Sequence, residues 1–235
     1  MLVAAAFCPA PPLLVPAVAS GAAAELDAVR RAVDQAMRDL RAAQPDLLVV
    51  VGDGPRGDHP GGSVGSLAGF GLDVTVALGS GRAGNRGPTL PTSLTVGAWL
   101  LAYSDWSGAV TGVSVPPDLA TPLSVELGEA VSARAQRVAL LVLGESSARL
   151  DARAPGAFDP DAPLVHAGLS TALATVDRPV LLGLDEPTAS RLMISGRVPW
   201  QLAVGASLAV TLRGRVIADE APYGVGYLVA SWTSR

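Results

Sequence analysis

Residues 46–54 read DLLVVVGDG, and residues 137–145 read RVALLVLGE. Each is an unbroken run of aliphatic residues that closes on a glycine followed at once by an acid, Asp53 in the first and Glu145 in the second. A strand with one wet face alternates apolar and polar residues. A strand buried on both faces has no reason to alternate, and that pattern belongs to the interior of parallel sheets.

Working outward, residues 2–7 (LVAAAF) form a third apolar strand. In residues 21–43, Leu26, Val29, Val33, Met37 and Leu40 recur at spacings of three and four with charges opposite, which predicts an amphipathic helix ended by Pro45. Residues 54–69 read as a Gly-rich loop, 72–78 as a strand, and 79–88 (GSGRAGNRGP) as a loop. Thr92 is placed to cap the next helix. A strand over 108–115 and a helix over 121–134 follow. Further helices are expected near 161–175, 186–195 and 199–208. The chain closes with a strand pair, 209–218 and 226–232, joined through DEAPYGV. Strands alternating with helices predict an α/β protein, a three-layer sandwich with a central mixed, mostly parallel sheet and helices on both faces. No linker interrupts the pattern, so a single domain over 1–235 is expected.

Composition removes several functions. Net charge is −4, with no basic footprint, so nucleic acid is not an expected partner. All 17 basic residues are arginine. Without lysine there is no Schiff base and no phosphate-binding loop of the Walker type. The only histidines are His59 and His166, too few for a three-histidine metal site. Mean hydropathy is +0.39. Yet no apolar run reaches the roughly 18 residues of a membrane span, and no membrane association is expected. The first 24 residues are uncharged but lack a basic start and are broken by prolines, unlike a secretory leader. A single cysteine allows no internal disulfide and suits a cytoplasmic protein.

Ligands of open α/β sheets bind beyond the carboxyl ends of the strands. Three ends are alike here: FCPAP after the first strand, VVVGDG after the second and LVLGESS after the later one. If neighbours, they bring Cys8, Ala10, Asp53, Glu145, Ser146 and Ser147 to one crevice. Gly-Asp and Gly-Glu-Ser are equally the chemistry of turns and helix caps. His59, in RGDHPGG, reads as an exposed loop histidine, a metal ligand or a base oriented by Asp58. His166 lies among apolar neighbours on a helix and reads as a packing residue, Cys8 as a small buried hydrophobe. Ser147 is a candidate nucleophile, although no Gly-x-Ser-x-Gly elbow supports it. Arg82 and Arg86 would suit a phosphate, but match no phosphate-loop pattern. Asp219 and Glu220 are expected in the terminal turn, beside Tyr223.

Together the opening CPAPP, the VVVGDG strand end, GESSARL and DEAPYGVGYLVASW resemble the class III extradiol ring-cleavage dioxygenase superfamily. The likeness is to the β-subunit of protocatechuate 4,5-dioxygenase and its Memo-like relatives, and most of all to a bacterial branch of proteins similar to that β-subunit. It follows most of the chain in element order through short motifs. The resemblance implies a mixed α/β sandwich and, in active members, a nonhaem Fe(II) that opens catechol rings. Two histidines and a glutamate hold that metal and a further histidine moves protons. The first metal histidine corresponds to Ala10. The second belongs where Asp53-Gly54-Pro55 stands, with His59 nearby. The acid/base histidine corresponds to Ala148, and Glu220 is the candidate for the glutamate. A methyl group neither ligates iron nor carries a proton.

The expectation is therefore an extradiol-dioxygenase-like protein with a degenerate iron site, a pseudoenzyme binding a small molecule or a protein in a pocket of Cys8, Ala10, Asp53, His59, Ser146, Ser147, Ala148, Glu220 and Tyr223, without a cofactor. One alternative is a metal-dependent oxidoreductase or hydrolase rebuilt on Asp53, His59, Glu145 and Glu220, holding Fe(II) or another divalent metal. Another is a structural or interaction protein, for which the surplus of Ala, Val and Leu suggests a homo-oligomer, a dimer in the simplest case.

Overall fold

The computed structural model describes residues 1–79 and 89–234. Its elements begin with β1 (Leu2–Cys8), α1 (Pro16–Ala19), α2 (Asp27–Ala42), β2 (Leu47–Asp53), β3 (Gly57–His59), β4 (Val64–Ser66) and β5 (Thr75–Ala77). Next come α3 (Thr92–Tyr103), β6 (Val110–Val115), α4 (Thr121–Ser132) and β7 (Val138–Leu143). The chain ends with α5 (Ala162–Thr175), α6 (Arg178–Gly183), α7 (Glu186–Leu192), α8 (Arg197–Ala206), β8 (Leu212–Glu220) and β9 (Tyr227–Ser234).

Seven strands form one sheet in the order β3-β6-β2-β7-β1-β9-β8. The inner four, β6, β2, β7 and β1, are mutually parallel, while β3, β9 and β8 run against their neighbours. This is the expected α/β sandwich with a mixed, mostly parallel sheet. β2 and β7 are the central neighbours, which is why both read as uninterrupted apolar runs. Successive residues of β2 feed opposite faces. Leu48 and Val50 pack with α2 and α3 around Met37 and Leu94. Val49 and Val51 pack with α4, α5 and α8 around Leu169, Leu202 and Trp200. In β1, Ala4 and Ala6 leave room for α2 to lie close to the sheet. On the other face Phe7 meets Trp232 edge to face, with ring centroids 4.6 Å apart. Such buried aromatic and aliphatic side chains each contribute about 1.5–3 kcal/mol.

Several boundaries differ from the sequence reading. The helix expected over 21–43 begins at Asp27. Ser20 takes a left-handed φ of 50°, and 3-10 turns cover Ser20–Leu26. Thr92 is the first helical residue, with Pro91 ahead of it and no side-chain cap. The loop read over 54–69 contains β3 and β4, strands of three residues that carry too few side chains for a period to show. α6 was not expected; Asp177 caps it by accepting from the Val180 N–H at 3.2 Å. Asp219 and Glu220 end β8 and do not lie in the turn. The phosphate reading of Arg82 and Arg86 falls outside the described residues. Among the described residues no helix is long and apolar enough to cross a membrane.

Candidate functional site

The carboxyl ends of β1, β2 and β7 are adjacent, and a cavity of about 370 Å³ opens there. Its wall includes Ala10 beyond β1, Asp53 at the end of β2, and Glu145 and Ala148 beyond β7. Tyr227, the first residue of β9, completes it because β9 runs antiparallel to β1. Ser93 from the start of α3 and Ser195 just before α8 supply hydroxyls.

Glu145 is fixed by a reciprocal clasp. One carboxylate oxygen accepts from the Ala10 N–H at 2.7 Å, and the other accepts from the Ser195 hydroxyl. The Ser195 oxygen in turn accepts from the Glu145 N–H at 2.8 Å, and the Glu145 carbonyl accepts from the Gly196 N–H at 2.9 Å. Gly144 makes this possible, since a Cβ there would stand 2.5 Å from Gly196 Cα. The conformation of the Pro-rich turn after β1 is thus tied through Ala10 to the acid after β7.

Burial pushes the Glu145 carboxyl above the usual carboxylate range; the hydrogen bonds from Ser195 and Ala10 oppose this, and the charge of Asp53 adds to it. Burial likewise raises Asp53, with Ser93 and the Asp53 N–H opposing it. The Ser93 hydroxyl donates to the Asp53 main-chain carbonyl at 2.6 Å. Burial, and then the charge of Glu145, raise the Tyr227 phenol. Neither Asp53 nor Glu145 has an ion-pair partner among the described residues. Two neighbouring carboxyls without a cation, in a dry wall, hold their charges at a cost.

The other expected site residues lie elsewhere. Cys8 is buried at the end of β1 and does not reach the cavity; burial pushes its thiol up, which makes it an inert hydrophobe. His59 is only 4% exposed and is no loop residue. It belongs to β3 and pairs with Gly112 of β6, while Asp53 pairs with Val115. That separation is two strands across and three residues along, about 10 Å in each direction. The Ser114 hydroxyl donates to the Pro55 carbonyl, so His59 Nε2 is the donor in its 2.9 Å bond to Ser114 Oγ. Burial lowers the pKa of His59 despite Asp58, which keeps the ring neutral at an edge of the sheet. Glu220 is exposed on the outermost strand, with β9 between it and β1. Tyr223 is not in the cavity wall. The rebuilt set of Asp53, His59, Glu145 and Glu220 is therefore not assembled. Among the described residues no three His, Cys, Asp or Glu side chains are placed to share a metal.

Ser146 and Ser147 turn away from the cavity and are fully buried. Ser147 Oγ donates to the Leu192 carbonyl at 2.8 Å and accepts from the Arg149 N–H at 3.1 Å, the behaviour of a turn residue. Ser146 Oγ meets His166 Nδ1 at 2.7 Å, and His166 Nε2 meets Asp219 Oδ1 at 2.7 Å. The second Asp219 oxygen accepts from Ser170 at 2.7 Å. His166 is thus a polar bridge between β7, α5 and β8, where the sequence suggested an apolar packing residue. A carboxylate only accepts, so Nε2–H donates to Asp219 and Nδ1 accepts from Ser146. The order Ser–His–Asp is that of a nucleophilic triad. Burial of its serine denies it a substrate, and the three residues work as a tie.

The fit to a two-histidine, one-carboxylate iron site can be tested on these donors. Ala10 and Ala148 present methyl groups to the cavity, His59 is remote, and both oxygens of Glu145 are engaged by the protein. These residues do not fit that group. The sequence missed Ser93, Ser195 and Tyr227. Only Tyr227 carried a signal, as a lone aromatic hydroxyl heading an apolar strand.

No protein-family model matches the chain, and no curated protein matches it. A solved structure of an uncharacterized protein from Escherichia coli K12 is similar over 99% of this chain and 100% of that one, with a TM-score of 0.58 and 14% sequence identity. A likeness at that identity carries the fold alone, and the α/β sandwich is what the two share.

Proposed function

We propose that this chain is an extradiol-dioxygenase-like protein that has exchanged iron chemistry for binding, and that its ligand is a small molecule held in the cavity at the ends of β1, β2 and β7. The observation that supports this reading most is the lining. The cavity is open and preformed, with methyl groups at Ala10 and Ala148 where the resemblance calls for imidazoles, and an acid whose oxygens are both taken up by the protein. Such a wall supplies no imidazole to hold iron or to move a proton, and it suits a ligand with an apolar body and one polar end.

Purified protein, analysed for bound metal and assayed for catechol ring opening with added Fe(II), tests the loss of chemistry. Substoichiometric iron and no ring opening are expected. Stoichiometric iron, or ring-opening activity, would falsify the reading. Ala10→His is expected to remain inactive by itself, since Ala148 leaves the proton-transfer position without a base; ring opening by that variant would overturn this assignment.

A further inference from the structure

We propose that the ligand of this cavity is a small primary amine, bound as its ammonium ion by the Asp53 carboxylate and the Tyr227 phenol oxygen. This rests on the binding reading above and adds the chemical class.

Three observations converge. Among the described residues the cavity wall contains two acids and no arginine or histidine. Of the two acids, Glu145 has both oxygens engaged by the Ala10 N–H and the Ser195 hydroxyl, so the carboxylate left to accept from a ligand is that of Asp53. Tyr227 is only 2% exposed, yet it lines the cavity, and no hydrogen bond from the described residues tempers its phenol. The ring is buried, but the phenol oxygen is not among the sealed side-chain atoms that lack a partner, so it opens onto the cavity. A group from outside the chain is the natural partner.

An ammonium head answers each demand. It brings the missing positive charge to Asp53 and forms a charge-assisted hydrogen bond there. It has three donors and no acceptor, and one of the remaining N–H groups reaches the lone pair of the Tyr227 oxygen. An anionic ligand would instead sit against two carboxyls. A neutral alcohol would fill the hydrogen bonds but leave the charge uncompensated. Besides the hydroxyls of Thr92, Ser93 and Ser195, the wall contains the apolar Pro11, Pro12, Ala148, Met193 and Val225, which offer room for a short hydrocarbon body.

The test uses three probes of one shape: n-pentylamine, pentan-1-ol and pentanoate. Their binding to the full chain is followed by chemical-shift titration near neutral pH. The amine is expected to bind at least tenfold tighter than the alcohol, with the acid weakest. Asp53→Asn, which keeps the shape and removes the charge, should lower amine affinity at least tenfold and leave the alcohol within about twofold. Tyr227→Phe should lower amine affinity about threefold to tenfold. Ala148→Phe, which fills the cavity, should abolish binding of every probe. If the alcohol or the acid equals the amine, or if Asp53→Asn leaves the amine unaffected, while Ala148→Phe still blocks binding, the amine assignment is overturned and the binding cavity stands. If none of the probes binds, both fall.

Discussion

Two polar clusters grow from consecutive residues after β7 and end differently. Glu145 faces the cavity with Asp53 and Tyr227, where two acids lack a counter-charge and a phenol lacks a partner among the described residues. Ser146 faces the other way, into the Ser146–His166–Asp219 chain, in which every polar atom is matched at 2.7 Å and the serine is sealed. The second cluster contains the residue types of a hydrolase and lacks space for a substrate. The first has the space and residue types that suggest little by themselves. Completed hydrogen bonding stabilises a fold, whereas unmet demand beside an opening marks a place for a ligand.

The sealed cluster should give the larger stability effects. Gly226 lies against it: an added Cβ would be 2.5 Å from His166 Nδ1 and 3.0 Å from Ser146 Cβ. Gly226→Ala therefore has to displace the bridge or the strand, and about 3 kcal/mol of lost stability is expected, read from urea unfolding. A loss below about 1 kcal/mol would mean that the bridge is loose and could admit a substrate. His166→Leu comes next. It leaves the buried Ser146 hydroxyl without its partner, at an expected cost of about 2 kcal/mol, with amine affinity in the cavity within about twofold of the parent. Covalent labelling of Ser146 in the native protein by a serine-directed phosphonate would break the contrast outright, since it requires an accessible nucleophile.

How far the sequence foresaw this follows from what each residue's neighbours are. β1, β2 and β7 were legible because burial on both faces removes alternation, and that is a local property of the string. The meeting of Asp53 with Glu145 was legible once those strands were taken as neighbours. His59 was misplaced because β3 is three residues long. His166 was misread because its apolar sequence neighbours say nothing of Asp219, which is 53 positions away. Ser195 carried no signal, since its partner Glu145 is 50 residues distant and no periodicity records such a contact. Contacts between element ends are set by the assembled sheet, and the site consists almost entirely of element ends.

The cavity cluster should respond to pH more than to truncation. The folded pKa of Glu145 is raised above its unfolded value, so its contribution to stability is complete below the unfolded carboxyl range, about 4.3, and is lost as pH rises through the folded value. Glu145→Gln cannot ionise and escapes that loss. Its melting temperature relative to the parent should therefore climb as pH rises from about 4 to about 8, by roughly 2–4 °C, whatever the offset from the altered clasp at low pH. A constant difference across that range would show that Glu145 is solvated in the folded protein, and the idea of two charges held at a cost would fail.

The smallest effect expected is the most informative about the contrast. Tyr227→Phe removes one oxygen from a side chain nearly as buried as Ser146 of the sealed cluster. Had the phenol a protein partner, its removal would leave that partner unsatisfied and cost about 1–3 kcal/mol, as for His166. With no partner to lose, the substitution only exchanges a polar group for an apolar one in a largely apolar wall, and stability should stay within about 0.5 kcal/mol of the parent or rise slightly. The urea midpoints of Tyr227→Phe and His166→Leu, measured side by side, place the two clusters on one scale. Equal losses would mean that both are structural and that the cavity has no unmet hydrogen bond to offer. A near-silent Tyr227→Phe that still weakens amine binding assigns the hydroxyl to the ligand, because burial without a structural return is then explained by what the cavity holds.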